Sequence, residues 1–456
     1  MIAPARVLAF ETIRATFEQD AQTERFFREA ADSQKLAGRE RAQAQRLAYG
    51  AVQRRGTADA AIERLAERSL RLLDPPVVAA LRLGLYELLF ADGTPDHAAV
   101  DQAVELVKSA EAAHATGLVN AVLRRAGRER EKLTETLLGD DSTPESAAVA
   151  HSAPLWLAQM WWEELGPEPA RALLAACNEP AELGLCVNTL RRDREAMLAI
   201  LSEAGLDARP AEGPWPLAPP ETIVTAGRTG ATVPERVAAG ELTPQSRGSA
   251  AVIEVLDPQP GEHVLDLCAG PGIKTGQIAA RMGDRGEVIA VEQEPGRAGE
   301  VAEQACRLGL RSVTVIEADA AATGMASGFD RVLVDPPCSD LGALASRPDA
   351  RWRKSPRTIE RLVELQRRIL LRGLEALRPG GTLVYSTCTI SRREGEEQIA
   401  ALLSLAAAGE APLVSVDDLG ALAPDLVSSH DRRCLQLRPD RDTTTGFFVC
   451  RLRKDD

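Results

Sequence analysis

Two cysteines each follow an apolar, strand-like run. Cys338 ends the segment Val332-Leu-Val-Asp335-Pro-Pro-Cys338, and Cys388 follows Leu383-Val-Tyr-Ser-Thr. A thiolate is a strong nucleophile, and a second thiol beside it can act as an acid or a base. A single buried cysteine is more often an inert apolar residue, but the carboxyl ends of neighbouring parallel strands meet at one edge of a sheet. The two segments therefore predict a two-cysteine site.

Such a pair suits methylation of a pyrimidine. Carbon 5 of cytosine is a poor nucleophile, and a thiolate that adds at carbon 6 enables it to take a methyl group from a sulfonium donor. A base must then remove the proton from carbon 5 so that the thiolate can leave. Asp335, held near the ring, can bind or protonate its N3/N4 side. These residues indicate covalent catalysis on a base.

A glycine turn lies upstream, in Val264-Leu-Asp-Leu-Cys-Ala-Gly-Pro-Gly-Ile-Lys-Thr275. Glycines let backbone N–H groups approach a ligand, and the following helix N-terminus favours an anion, either a methionine carboxylate or a nucleotide phosphate. Glu292 and Asp319 follow the next two strand-like runs, where they could accept ribose hydroxyls and contact an adenine amino group. Either acid alone could equally be a helix cap or a surface residue. No GxxxxGK[ST] run is present, which argues against a P-loop.

The elements that must position these residues alternate between strands and helices after Gly261, as in a parallel sheet covered on both faces. We predict an α/β Rossmann-like domain with a mostly parallel sheet and an antiparallel C-terminal hairpin. The predicted strands are 263–267, 287–292, 313–317, 331–335 and 382–386, and the hairpin is 434–437 with 446–452. The sequence does not predict the strand order.

The first part of the chain has apolar residues at three- and four-residue spacing, which predicts an all-helical bundle. A charged segment, 130–141, and Ser142-Thr143-Pro144 indicate a linker. Mixed helical and strand patterns with proline-rich turns follow and predict a small α+β subdomain. The predicted domains are 1–140, 145–258 and 259–456.

Composition excludes some classes of protein. The chain has 456 residues, a net charge of −13, eight cysteines without a CxxC pair and five histidines, so we expect no metal site. No run of about 18 uncharged apolar residues occurs, and no signal-peptide pattern opens the chain, which predicts a cytoplasmic protein. The acidic balance argues against binding nucleic acid through overall charge.

One segment is locally basic. Residues 346–378 carry ten Lys and Arg against four Asp and Glu. This balance is compatible with a phosphate-contacting face, although a solvated helix face with ion pairs explains it equally well.

The stretches DLCAGPGIKT, VDPPCSDLG and YSTCTIS resemble the Sun-type RNA cytosine-5 methyltransferase family. The resemblance implies S-adenosyl-L-methionine as cofactor, Cys388 as nucleophile and Cys338 as the cysteine needed for product release. It further implies that Asp335 contacts cytosine and cofactor, and that Lys274 lies near the base. The implied cofactor-binding residues are Cys268, Ala269, Gly270, Pro271, Gly272, Ile273, Lys274, Glu292, Asp319 and Asp335.

This chain departs from the family pattern at several positions. Ile273 stands where a second glycine is usual and Gly270 where an alanine is usual, while Glu292 replaces an aspartate. Further departures are Cys186, Ser246 and Thr445. None of them removes a predicted catalytic group.

Residues 48–57, 80–90, 97–106 and 119–125 resemble the NusB-type helical RNA-binding domain. A bundle that only packs against the rest of the chain would explain the same pattern. The combined resemblance implies a monomeric enzyme that methylates one cytosine of 16S ribosomal RNA, with neither DNA nor a membrane as partner.

Other functions remain open. A DNA cytosine-5 methyltransferase would use Cys338 as nucleophile, and an amino-methyltransferase would favour an aromatic residue after Asp335-Pro-Pro. A cytosine-5 methyltransferase acting on another RNA would share every motif. A non-catalytic RNA-binding ribosome-assembly factor would explain the helical part but leave both cysteines without a purpose.

Overall fold

The computed structural model describes residues 2–226, 230–322 and 326–455. The chain forms two compact units. The first comprises Met1–Glu179 with Leu344–Ser355, and the second comprises Pro180–Ala343 with Pro356–Asp456. In the described part of the chain, no helix is both long enough and apolar enough to cross a membrane.

Within the described residues, eleven α-helices precede the first strand, and strands and helices intermingle after it. The helices are α1 (Pro4–Glu18), α2 (Thr23–Ser33), α3 (Gly38–Gln53), α4 (Arg55–Ala66), α5 (Pro75–Leu89), α6 (Asp96–Ser109), α7 (Thr116–Arg128), α8 (Arg130–Leu138), α9 (Pro144–Ala150), α10 (Leu155–Leu165), α11 (Pro167–Ala176), α12 (Arg194–Glu203), α13 (Thr232–Ala238), α14 (Arg247–Leu256), α15 (Ile273–Arg281), α16 (Pro295–Leu308), α17 (Ala350–Arg353), α18 (Pro356–Ala376), α19 (Glu396–Ala407) and α20 (Pro439–Asp442). The strands are β1 (Leu183–Val187), β2 (Asp207–Pro210), β3 (Thr222–Ala226), β4 (Leu242–Pro244), β5 (His263–Asp266), β6 (Glu287–Glu292), β7 (Val313–Glu317), β8 (Phe329–Val334), β9 (Leu377–Thr387), β10 (Val414–Val416), β11 (Leu435–Leu437) and β12 (Phe447–Lys454).

The first unit contains the predicted helical bundle but extends beyond the predicted boundary at residue 140, to Glu179, and its core is built around α5. Two prolines at the start of α5 suit the first turn of a helix, where backbone N–H groups lack partners. Nearly every side chain of α5 is buried, because α1, α3, α6 and α7 surround it. Where we predicted a charged linker, the structure has helix α8, whose Leu133 and Leu137 are buried. The prediction was wrong because two leucines at i and i+4 suffice to dock one face.

The segment Leu344–Ser355 lies far along the chain but packs in the first unit. The Trp352 indole N–H donates to the backbone oxygen of Val52 at 2.8 Å, and its ring lies against Gly56, where a Cβ would meet it at 3.0 Å. Arg351 is buried and donates to the backbone oxygens of Ser152 at 3.0 Å and Cys177 at 2.9 Å. Burial lowers the pKa of Arg351 to about 10. Arg351 therefore belongs to a core, not to the phosphate-contacting face that its segment suggested.

The second unit contains two sheets. Strands β2, β3, β1 and β4 form a small antiparallel sheet in that order. The large sheet has the order β10-β12-β9-β8-β5-β6-β7, with β11 beside β12. Five adjacent strands of this sheet run parallel, namely β9, β8, β5, β6 and β7. Strand β12 pairs antiparallel with both β9 and β11. The predicted Rossmann-like sheet and C-terminal hairpin are confirmed.

The strand order brings the predicted site to one edge. The order reverses between β5 and β8, and in open α/β sheets ligands bind at the carboxyl edge beside such a reversal. The ends of β5, β6, β8 and β9 carry Asp266, Glu292, Asp335 and Cys388 at or just after their last residue. The pairing of Val334 with Tyr385 places Asp335 opposite Ser386.

We expect Trp352→Ala to lower the free energy of unfolding of the first unit by about 2–3 kcal/mol, because a large half-buried ring and its hydrogen bond are lost. Chemical denaturation followed by circular dichroism measures this change. Leu72→Ala is the control, since Leu72 is 75% exposed and should change stability by less than about 0.5 kcal/mol. Equal effects of the two substitutions would contradict the role of Trp352.

Candidate functional site

The two predicted cysteines lie in contact. Their Sγ atoms are 3.2 Å apart, although the residues are 50 positions apart in sequence. Cys338 is buried, and Cys388 is half-buried. The hydrogen bond with Cys388, together with burial, raises the pKa of Cys338 well above its usual range. Cys338 is therefore a thiol in the resting protein, and Cys388 is the more accessible sulfur.

Asp335 is held by two neighbours at the same edge. Lys274 Nζ donates to Asp335 Oδ2 at 2.7 Å, and Ser386 Oγ donates to Oδ1 at 2.8 Å. Burial opposes the charge on Lys274, but the charge and hydrogen bond of Asp335 outweigh burial, so the pKa of Lys274 is raised. The ammonium group also lies 4.9 Å from the centre of the Phe447 ring. The predicted residues Lys274 and Asp335 thus form one ion pair.

Glu394 links the loops that follow the two cysteines. This fully buried carboxylate accepts from the Ser339 backbone N–H at 2.9 Å and from Gln366 Nε2 at 3.0 Å. The Ser339 hydroxyl bonds to Glu394 and, at 2.7 Å, to Thr389. The residue after Cys338 and the residue after Cys388 are therefore fixed to each other. The sequence analysis missed Glu394, and nothing in the local pattern distinguishes it from Glu396 or Glu397.

The glycine turn connects β5 to α15 as predicted. Gly272 has φ +93°, and a Cβ there would meet the Val301 backbone at 3.0 Å. The Gly270 N–H donates to Glu292 Oε2 at 3.0 Å, and a Cβ on Gly270 would approach that oxygen to 2.4 Å. Gly270 in place of the usual alanine is therefore matched to the longer Glu292. The Glu294 N–H donates to the other oxygen of Glu292, and each carboxylate oxygen keeps a second lone pair for a ligand.

The other predicted cofactor residues occupy the same loop, apart from Asp319. Cys268 is half-buried, and burial raises its pKa well above the usual range, so it is a neutral thiol. Ala269 is buried, Pro271 is exposed, and Ile273 opens α15 half-buried. Asp319 follows β7 and accepts from the Ala321 N–H at 2.9 Å, a local hydrogen bond that stabilises a turn.

Asp266 is a further residue of this edge that the sequence analysis did not assign. It is 1% exposed; Thr275 donates to Oδ2 at 2.7 Å, while Oδ1 has no hydrogen-bond partner within the described residues. Burial raises the pKa of Asp266 to about 6. A buried oxygen without a donor favours a cationic or N–H-bearing ligand group. The ammonium of an amino-acid moiety would fit this position.

Asp340 was also missed. Cys388 Sγ donates to Asp340 Oδ1 at 3.2 Å, so the nucleophile candidate touches both a thiol and a carboxylate. Asp340 has φ +60°, a left-handed conformation that aspartate tolerates better than most residues. Only the folded turn, and no spacing pattern, brings Asp340 to this position.

Comparisons with known proteins match three regions of the chain. The family model of 16S rRNA methyltransferase RsmB/F matches residues 253–453, the NusB family matches residues 3–128, and the RsmF/B-like ferredoxin-like domain matches residues 153–214. The "Probable ribosomal RNA small subunit methyltransferase B" of Synechocystis is 35% identical over 87% of this chain and 88% of its own length. The protein of the same name in Bacillus subtilis is 30% identical over 98% of both chains.

A solved structure extends the likeness to the fold of the whole chain. The crystal structure of PH0851 covers 100% of both chains with a TM-score of 0.82 at 24% identity. The predicted resemblance to Sun-type methyltransferases preceded by a NusB-like domain is confirmed, and so is the prediction of an rRNA methyltransferase. Because the Synechocystis and Bacillus subtilis relatives are 35% and 30% identical over 87% and 98% of this chain, the chain belongs to the RsmB/F family of 16S rRNA methyltransferases.

Proposed function

We propose that the chain transfers a methyl group from S-adenosyl-L-methionine to carbon 5 of a cytosine in 16S ribosomal RNA, with Cys388 as the attacking residue. The contact between the two sulfurs carries this proposal, because it places a second acid–base group 3.2 Å from an accessible thiol. Family membership supports methyl transfer to ribosomal RNA. The resemblance of the motifs to cytosine-5 enzymes supports carbon 5 as the acceptor.

Cys388 begins the reaction as a thiolate, after its proton has passed to solvent, by adding to carbon 6 of the cytosine; the electron pair of the C5–C6 double bond then makes carbon 5 electron-rich. When bound, the sulfonium cofactor supplies the methyl group that carbon 5 takes. Asp335, which Lys274 and Ser386 hold in place, would accept a hydrogen bond from the N4 amino group and so orient the ring for attack. A carboxylate fixed by two donors requires little reorganisation during the reaction.

Cys338 would act in the second half of the reaction. The largest cause of its raised pKa is the hydrogen bond with Cys388. Once the Cys388 sulfur is bonded to carbon 6, it is no longer a thiol, so the Cys338 thiol becomes more acidic and can lose its proton to solvent. Its thiolate then takes the proton from carbon 5, and the S–C6 bond breaks with the electron pair returning to Cys388.

The cofactor would lie over the glycine turn. The loop carries Gly270 and Gly272 at the start of α15, Glu292 would accept the ribose hydroxyls, and Asp266 would receive the methionine ammonium. Asp319 near the adenine remains part of the proposal. For the helical unit we propose contact with RNA. The monomeric state, the absence of DNA and membrane partners and the cytoplasmic location stay predictions.

We expect Cys388→Ala to reduce methyl transfer to unmodified 16S RNA by at least about a thousandfold, because the carbon 6 adduct cannot form. Radiolabelled methyl incorporation under single-turnover conditions measures this rate. Cys306→Ser is the matched control, since Cys306 is exposed and outside the site. Near-normal transfer by Cys388→Ala would refute the assignment of the nucleophile.

Cys338→Ala should instead accumulate a covalent protein–RNA adduct, because the proton on carbon 5 is removed slowly. The adduct migrates as a slow band on a denaturing gel and should disappear in the double variant with Cys388→Ala. If Cys388→Ala alone forms this band, the two cysteines have exchanged roles.

Asp266→Asn should stabilise the ligand-free protein at pH 8. The pKa of Asp266 is higher in the folded protein than in the unfolded chain. The carboxyl group therefore stabilises the fold fully below the unfolded value of about 3.9, and this stabilisation is lost as pH rises through the folded value of about 6. The ionised carboxylate therefore destabilises the protein at pH 8 by about 2–3 kcal/mol, and the neutral amide removes this effect. Urea denaturation at pH 5 and pH 8 measures the difference.

The same substitution should weaken S-adenosyl-L-methionine binding by about tenfold or more, measured by calorimetry, because the buried charge opposite the ammonium is lost. Asp425→Asn, at an exposed carboxylate, should change neither the stability nor the affinity. An Asp266→Asn variant that is no more stable than the wild type at pH 8 would show that the fold accommodates the ionised carboxylate without cost, contrary to the expectation. Unchanged cofactor affinity in the same variant would remove Asp266 from the proposed binding site.

A further inference from the structure

Three donor atoms of the metal-ligand type converge at the cysteine pair. The sulfurs of Cys338 and Cys388 and a carboxylate oxygen of Asp340 all lie within 4.8 Å of one another. We propose that these three side chains bind one thiophilic divalent cation, Zn²⁺, and that the bound ion holds the enzyme inactive. The binding does not depend on the proposed function; the inactivation rests on it, because it needs Cys388 as nucleophile.

The donor set determines the class of metal. Two thiolates and one carboxylate favour Zn²⁺ and other soft or borderline cations over Mg²⁺ or Ca²⁺, which prefer oxygen ligands. Three protein ligands leave a fourth position of a tetrahedral ion open to water. Because Cys388 is half-buried, that position can face the cleft from which a base would approach. An ion bound there would be bonded to the Cys388 sulfur, so that sulfur could not attack a base.

The distances require only a small adjustment. Zinc binds cysteine sulfur at about 2.3 Å, so tetrahedral coordination separates two sulfurs by about 3.8 Å. The sulfurs are 3.2 Å apart, and Cys388 Sγ is 3.2 Å from Asp340 Oδ1. Opening the sulfur pair by about half an ångström needs only a change in side-chain torsion. The Cys338 sulfur and the Asp340 oxygen lie within 4.8 Å of each other, so they must approach by at most about an ångström for tetrahedral coordination.

The backbone holds the three ligands in place. The Gly342 N–H donates to the backbone oxygen of Cys388 at 3.0 Å, and the Ala343 N–H donates to that of Asp340 at 3.0 Å. These bonds tie the turn bearing Asp340 to the loop bearing Cys388, in addition to the bridge through Glu394. Ligands fixed before binding lose less entropy when the ion arrives.

Charge favours the ion at high pH. Each thiol releases its proton to the buffer when its sulfur binds, so affinity rises with pH. The neighbouring charged groups are Lys274 and Asp335, which neutralise each other, and Glu394, which interacts with Cys338. A divalent cation would offset the repulsion among two thiolates and the Asp340 carboxylate. The sequence analysis expected no metal because it considered spacing along the chain, where these cysteines are 50 positions apart.

Binding can be measured on the full chain without RNA. The reduced, chelator-treated protein is titrated with Zn²⁺ against a competing chromophoric chelator, and Cd²⁺ replaces Zn²⁺ in a second titration to reveal thiolate-to-metal absorption. We expect one equivalent of Zn²⁺ with a dissociation constant at or below about 1 µM, tightening as pH rises from about 6 to about 8. Millimolar Mg²⁺ should not compete.

The variants assign the ligands. Cys388→Ala and Cys338→Ala should each weaken binding about 100-fold or more, Asp340→Asn should weaken it about tenfold, and Cys306→Ser should leave it unchanged. Asp340→Asn changes no sulfur and keeps the size of the side chain, so it tests the site even if a buried cysteine variant folds poorly. Wild-type binding no tighter than that of Cys388→Ala overturns the proposal, as does unchanged affinity in Asp340→Asn.

Inactivation is tested separately. Zn²⁺ should stop methyl transfer at the concentration that fills the site, and a chelator should restore the original rate. Tight binding without loss of transfer would retain the metal site but refute the blocked nucleophile, and with it the proposed role of Cys388. Loss of transfer in Cys306→Ser at the same Zn²⁺ concentration is expected, since that variant keeps all three ligands.

Discussion

The parallel pairing of β8 with β9 is the constraint on which the site depends. Its register sets Val334 opposite Tyr385, and so brings Asp335 within 2.8 Å of the Ser386 hydroxyl. A slip of one residue would turn every side chain of one strand to the opposite face. The ion pair with Lys274 and the meeting of the sulfurs would both be lost. The geometry of the candidate site is thus decided by backbone hydrogen bonds rather than by the cysteines themselves.

Buried polar groups around this edge fall into two kinds. Glu394 and Asp335 have donors on both carboxylate oxygens, and they fix the loops. Asp266 has one oxygen without a donor among the described residues, and its charge is opposed by burial. Satisfied groups give rigidity, while an unsatisfied group stores free energy that a complementary ligand can release. This division distinguishes residues that fix the loops from a candidate ligand-binding residue more sharply than burial alone.

The sequence predicted the parts of the fold whose signals are local. Strands β6 and β7 have the predicted bounds, because short apolar runs between turn residues are typical of strands, whether mostly buried as in β6 or at the sheet edge as in β7. The strand order was not predicted, and of the small sheet only the α+β character of its segment was, since pairing depends on contacts between distant residues. Among site residues, motifs identified Cys338, Cys388, Asp335 and Lys274. Glu394, Asp266 and Asp340 were missed because their roles arise from partners elsewhere in the chain.

The helical unit is not one continuous stretch of polypeptide, because Trp352 and its neighbours in Leu344–Ser355 complete it. Proteins fold as they leave the ribosome, beginning with the N-terminal residues. In this chain the surface of the bundle around Val52 and Gly56 stays uncovered until Trp352 has been synthesised, which is after most of the second unit. Completion of the first unit therefore follows synthesis of the loop that carries Cys338, so a chain that terminates before Leu344 contains neither unit in full.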